Sequence, residues 1–70
     1  MKASVQKKFG NRVRALRLAA NLSQEAFADK CGFARSYMSR IERGQGNPSL
    51  DAIKALADGL HVPIRDLFDE

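Results

Sequence analysis

The sequence holds a single cysteine, Cys31. That excludes an internal disulfide framework and leaves no thiol cluster for most types of zinc site. Its one histidine, His61, falls in a segment that reads as a solvated surface turn. No serine or cysteine nucleophile has a base placed beside it by a recognisable pattern. Neither a phosphate-cradling glycine loop nor a metal-ligand spacing occurs. An enzyme, a metal site and a cofactor are therefore not expected. No stretch approaches the ~20 apolar residues of a spanning helix. The basic N-terminus is not followed by the apolar core and cleavage site of a secretion signal. The expectation is a cytoplasmic protein with no membrane partner. Repeats, low-complexity tracts, linkers and the period-two alternation of strands are missing too.

Acidic residues are scarce in one half of the chain. The first 22 residues contain six basic groups and no acidic one, and residues 1–40 balance at +7 against −3 for residues 41–70. A surface polarised in this way attracts phosphate backbones, although a merely solvated basic face has the same composition. The 44% hydrophobic content is that of a globular chain. Seventy residues make one domain, 1–70, with one core. Such a chain buries only about 60% of its unfolded surface, and its core rarely supplies more than roughly 3–5 kcal/mol. Packing against a second copy would help, so a homodimer is expected on size alone.

Punctuation divides the chain into five short helical segments. Val5, Phe9, Val13 and Leu16 step by four, four and three, the stripe of an amphipathic helix over about 5–20. Lys7, Lys8, Arg12 and Arg14 then face water or phosphate. Ser23 is a strong N-cap, flanked by the staple pair Leu22 and Phe27. Gly32 ends this second helix at about Cys31. Phe33 and Met38 repeat the staple for a third helix, from about Arg35 to Gly44. Pro48 suits the entrance to a fourth, capped by Ser49 or Asn47 and running from about Leu50 to Gly59. Pro63 opens a fifth, about Ile64 to Phe68. The fold class expected is all-α, a compact bundle of five short helices. Two of them, joined by a tight glycine-containing turn over about 24–43, form a helix-turn-helix.

Leu22-Ser23-Gln24-Glu25-Ala26-Phe27-Ala28, then Gly32, then Arg35-Ser36-Tyr37-Met38-Ser39-Arg40-Ile41-Glu42-Arg43-Gly44, then Asn47-Pro48-Ser49-Leu50 resembles the phage-repressor-like (Cro/C1, Xre) helix-turn-helix family. The resemblance covers about Phe9 to Phe68. It implies a lambda-repressor-like DNA-binding domain, a transcriptional regulator with double-stranded DNA as partner. The Arg-Ser-Tyr run is also similar to that of controller proteins of restriction–modification systems. Ala28 and Gly32 are expected to be small because two helices cross closely there and the chain turns sharply. Phe27, Cys31, Phe33, Met38 and Ile41 would be core.

In this family the second helix of the unit lies in the major groove, with its N-terminal part on base edges. Carried over, the base readers are Arg35, Ser36, Ser39 and Arg40, with Tyr37 nearby. Arg35 and Arg40 each offer a fork suited to guanine, or touch phosphate alone; Tyr37 contacts DNA or packs. Ser23 and Gln24, at a helix N-terminus, suit a phosphate. Arg43, Gln45 and Asn47 occupy the loop that in relatives follows the opposite strand; Asn47 has helix capping as a competing role. The resemblance also implies an ion pair between Arg17 and Glu42, against two exposed charges as the plainer case. Ala34 departs from the family, where Ser, Thr or Asp often caps the recognition helix.

At the chain end Val62, Ile64, Leu67 and Phe68 form an apolar cluster. Part of it caps the core and any surplus suits a twofold interface. The function expected is sequence-specific regulation from a pseudo-palindromic operator, and activation would make RNA polymerase a further partner. One rival is a protein-interaction module using the same fold, against which the basic groups on the first and third helices argue; a second is an antitoxin, which would also bind its operator.

Overall fold

The computed structural model describes residues 4–68 and has four α-helices followed by a 3-10 helix, with no strand among the described residues. The helices are α1 (Val5–Ala19), α2 (Gln24–Cys31), α3 (Arg35–Glu42) and α4 (Leu50–Leu60); the 3-10 helix spans Ile64–Phe68. Lys2 of the basic N-terminal run lies outside the described residues.

Local chemistry sets each start. Ser4, Ser23 and Ser49 stand at the N-caps of α1, α2 and α4. Their hydroxyls accept from the backbone N–H of Lys7, Ala26 and Ala52 at 3.0–3.1 Å. Of the two cap candidates for α4, Ser49 takes the role. Ala34 precedes α3 with no side-chain cap.

The ends share one device. Asn21, Gly32, Gly44 and His61 each adopt the left-handed conformation, with φ between 58° and 76°. In each case the next residue donates its N–H to a carbonyl five residues back: Leu22 to Arg17, Phe33 to Ala28, Gln45 to Arg40 and Val62 to Ala57, at 2.8–3.2 Å. Leu22, Phe33 and Val62 then pack on the core, so one apolar side chain closes one helix and begins the approach to the next. Gln45 is exposed instead.

Two expectations about glycine are corrected. Helix α4 does not stop at Gly59 but continues to Leu60, and His61 makes the left-handed turn. Gly59 is there for space: a β-carbon would stand 2.9 Å from the Cys31 sulfur and 3.0 Å from the Phe27 ring. Gly32 is the reverse, since a β-carbon there would meet nothing within 4 Å and the need is its φ of +76°. The closest helix crossing lies at Gly10 of α1, where a β-carbon would be 2.4 Å from the Ile41 carbonyl oxygen and 2.7 Å from that of Glu42.

Around these crossings Val13, Phe27, Met38, Leu56 and Leu67 lose all solvent contact. Leu67, expected at a twofold interface, is thereby corrected to core: the 3-10 helix turns it inward between α1 and α4. Val62 is half-buried against the same core. The 3-10 helix is tied to α1 by the Phe9 and Phe68 rings, 5.1 Å apart, and by Arg12 Nε donating to the Asp66 carbonyl at 2.7 Å.

Gly10→Ala should cost about 1–3 kcal/mol in urea unfolding, because backbone stands on the blocked side. Gly32→Asn should cost about 1 kcal/mol or less, because asparagine accepts the left-handed turn and space is open. Burial pushes the Cys31 thiol above its ordinary pKa, against a smaller pull from Lys30. Iodoacetamide should therefore modify Cys31 more slowly at pH 8 in the folded chain than in urea.

Candidate nucleic-acid interface

Helices α2 and α3 are joined by Gly32, Phe33 and Ala34, and α3 carries the side chains expected to read bases. Arg35 and Ser36 are exposed on its first turn, Ser39 is half-buried, and Arg40 is exposed near its end. Tyr37 is half-buried, edge-on to Phe33 with ring centroids 5.0 Å apart and planes at 88°. Arg35 and Arg40 lie five residues apart, about 7.5 Å along the axis and about 140° around it. They therefore leave α3 in different directions. The Arg40 guanidinium lies beside the loop after α3: a β-carbon at Gly46 would stand 3.5 Å from its Nη2.

A buried charge pair fixes this helix. Arg17 Nε donates to Glu42 Oε2 at 2.7 Å and Arg17 Nη2 to Oε1 at 2.9 Å. Relative exposures are 7% for Arg17 and 4% for Glu42. The remaining guanidinium edge is used as well, with Nη1 donating to the Leu22 carbonyl at 2.9 Å. The hydrogen bond to Glu42 raises the Arg17 pKa, opposed by burial and aided by the carboxylate charge. Gln24, the first residue of α2, joins from the other side: its Nε2 donates to Glu42 Oε1 at 3.2 Å. No buried side-chain nitrogen or oxygen among the described residues lacks a partner.

The other expected phosphate contacts gather at two places. Ser23 and Gln24 begin α2, with the Ser23 hydroxyl already engaged by Ala26 N–H. Arg43, Gln45 and Asn47 lie in and beside the exposed loop after α3. Arg43 Nε donates to the Ser39 carbonyl at 3.3 Å, and Asn47 Oδ1 accepts from Gln6 Nε2 at 2.8 Å. Of the residues expected at a twofold interface, Ile64 and Phe68 are exposed, at 41% and 52%, while Val62 and Leu67 turn inward.

Sequence reasoning missed the Gln24–Glu42 hydrogen bond and the approach of α1 to the loop after α3. Gly10, an isolated glycine inside a helical pattern, was the available sign that α1 also packs closely on the end of α3. Among the described residues no cluster of three or more metal-ligating side chains occurs, and no helix is long and apolar enough to cross a membrane.

The helix-turn-helix domain family matches residues 8–70. The chain is 47% identical over 62 residues to the control protein C.BamHI of Bacillus amyloliquefaciens, covering 87% of this chain and 76% of that one. Its fold is similar to the crystal structure of the restriction–modification controller protein C.AhdI from Aeromonas hydrophila, with a TM-score of 0.88 at 49% identity, over 90% of this chain and 96% of that one. It is also similar to SinR, a master regulator for biofilm formation crystallised in complex with DNA, with a TM-score of 0.81 at 35% identity, over 87% and 98% of the two chains.

Glu42→Gln should destabilise the fold by about 3–5 kcal/mol, because it leaves the buried Arg17 charge uncompensated. Thermal melting checks this, and an unchanged midpoint would refute the burial of a working pair.

Proposed function

The chain belongs to the helix-turn-helix family of DNA-binding transcriptional regulators, and from that premise we propose that it binds a pseudo-palindromic operator as a homodimer and controls a restriction–modification system. The observation that carries the proposal is the setting of α3: its first turn, with Arg35 and Ser36, faces solvent, while its last turn is locked to α1 and α2 through Glu42. Such a helix enters a groove as a rigid body. Arg35 and Ser36 are the base readers, with Ser39 and Tyr37 beside them. Ser23, Gln24, Arg43, Gln45 and Asn47 hold backbone phosphates and set register.

Residues 1–70 act as one DNA-binding domain whose reading unit is about 24–43. The twofold contact uses Ile64 and Phe68, the latter sharing a cleft with Val5 at the start of α1. Val5 and Phe68 border a cleft of about 390 Å³ that also takes in Phe9, Pro48 and Ile53. Two copies then present their α3 helices to major grooves one helical turn, ~34–36 Å, apart. The protein works in the cytoplasm without catalysis, and where it activates it does so by touching RNA polymerase. The control function named for C.BamHI and C.AhdI, and the DNA bound by SinR, support this assignment.

Selection of sites from a random duplex library, with Arg35→Ala beside the parent chain, tests it. The parent should enrich two related half-sites about one turn apart, and the variant should lose or relax them. Sedimentation should show a dimer at tens of micromolar. Salt-sensitive binding that ignores sequence and Arg35 would sink the proposal.

A further inference from the structure

Of the basic residues of α1 that were expected to face water or phosphate, Arg12 turns to the protein instead. Lys7, Lys8 and Arg14 are exposed, whereas Arg12 is half-buried. Its Nε donates to the Asp66 main-chain carbonyl at 2.7 Å, across 54 residues of sequence. The length is that of a charge-assisted bond.

The acceptor lies inside the 3-10 helix, Ile64–Phe68. Five residues of 3-10 helix have poor internal hydrogen-bond geometry and hold their shape badly alone. The Asp66 N–H is used within the segment, donating to the Pro63 carbonyl at 3.0 Å. The Asp66 carbonyl lies too near the end of the helix to accept one of its three-residue bonds, so its partner comes from α1. Leu67 is fully buried in the core, and the Phe68 ring stands 5.1 Å from that of Phe9. Phe9 and Arg12 are three residues apart on α1 and share a face. The residues they hold, Phe68 and Asp66, flank Leu67 on either side.

Each contact fixes something different. The burial of Leu67 sets the depth of the segment but leaves its rotation about that one anchor open. Ring packing between Phe9 and Phe68 is short-ranged and tolerant of angle. The Arg12 bond is directional, and it fixes the rotation. That rotation decides how Ile64 and Phe68, 41% and 52% exposed, are presented. These are the side chains assigned above to the twofold contact. In an isologous interface the same patch is used by both copies, so a tilt of the segment acts twice.

On the homodimer proposal above, we infer that Arg12 is a positioning residue for dimer assembly. It acts through the Asp66 carbonyl to set the angle of Ile64 and Phe68, without itself touching the second copy. Arg12 thereby leaves the set of α1 cations available to DNA phosphates.

The test compares the parent chain with Arg12→Met, which keeps an apolar stem and loses the donor, and Arg12→Lys, which keeps a charge and a donor. Arg14→Met removes the same charge from an exposed position of α1. Sedimentation equilibrium should show the Arg12→Met dimer weakened about tenfold, the loss of one hydrogen bond from a charged group. Arg12→Lys should recover most of this, and Arg14→Met should match the parent. Binding to a duplex holding a single half-site of the parent's selected motif reads the α2–α3 face without the dimer. Its affinity and its salt slope should be those of the parent in Arg12→Met. An unchanged dimer constant in Arg12→Met would overturn the assignment, as would an equal weakening in Arg14→Met, which reduces the effect to net charge. A half-site salt slope lower by about 0.9 would make Arg12 a phosphate contact instead. Loss of helical circular dichroism in dilute Arg12→Met would make it a residue of the fold alone and overturn the assignment too. A parent chain that sediments as a monomer at tens of micromolar refutes the homodimer proposal itself, before any variant is compared.

Discussion

Three segments converge on one carboxylate. Glu42, at the last position of α3, receives two bonds from Arg17 of α1 and one from Gln24 of α2, and Arg17 reaches on to the carbonyl of Leu22 between the first two helices. A buried ion pair is a weak source of net stability, because desolvation of both charges offsets most of their attraction. Its effect here is on geometry. Helices of eight residues, such as α2 and α3, are too short to persist alone in water, and their mutual angle has few side chains to define it. A bidentate pair accepts one distance and one plane. Gly10 acts in the same place from the other side, bringing α1 onto the carbonyls of Ile41 and Glu42. The C-terminal end of α3 is thus held by charge and by backbone contact together, while its N-terminal end projects.

Fixing that end also arranges the charges. With Glu42 consumed internally, the turn after α3 loses the acid that would have neutralised Arg40 or Arg43. Asp58 is paired with Lys54 on α4. One buried pair therefore has two consequences, a rigid recognition helix and an uncompensated positive rim beside it. Neither follows from the net charge of +4, which a uniformly solvated surface would share.

Much of the fold was legible because it is written in local signals. Serines at caps, apolar residues spaced by three and four, and prolines at helix entrances act over one turn of chain, so α1, α2, α4 and the 3-10 helix begin where those signals stand. What was not legible depends on the neighbour across a contact. Gly59 looked like a helix terminator, and only the sulfur of Cys31 and the ring of Phe27 show it to be a spacer. His61 takes the left-handed turn that a glycine would have advertised. Leu67 and Phe68 are adjacent apolar residues, and nothing in their types says that one fills the core while the other remains 52% exposed. At the site the residue types were readable from the motif, but the direction of Arg40 was not. Its guanidinium stands beside Gly46, a neighbour that its position on α3 does not announce.

The missing cap of α3 fits this division of labour. Three described helices begin with a serine hydroxyl on a backbone N–H, a contact worth about 1 kcal/mol. At α3 the alanine supplies none, and the Tyr37 and Met38 N–H groups share the Ala34 carbonyl at 3.1 Å. The helix that lacks local support at its start is the one most strongly held at its end. Had stability alone shaped this segment, the cap would be the simplest improvement available. Local rules broken at one point of an otherwise consistent chain mark the places where something besides stability acts. Here that point is the first turn of α3, which presents Arg35 and Ser36 to solvent with first-turn N–H groups that no side chain among the described residues engages.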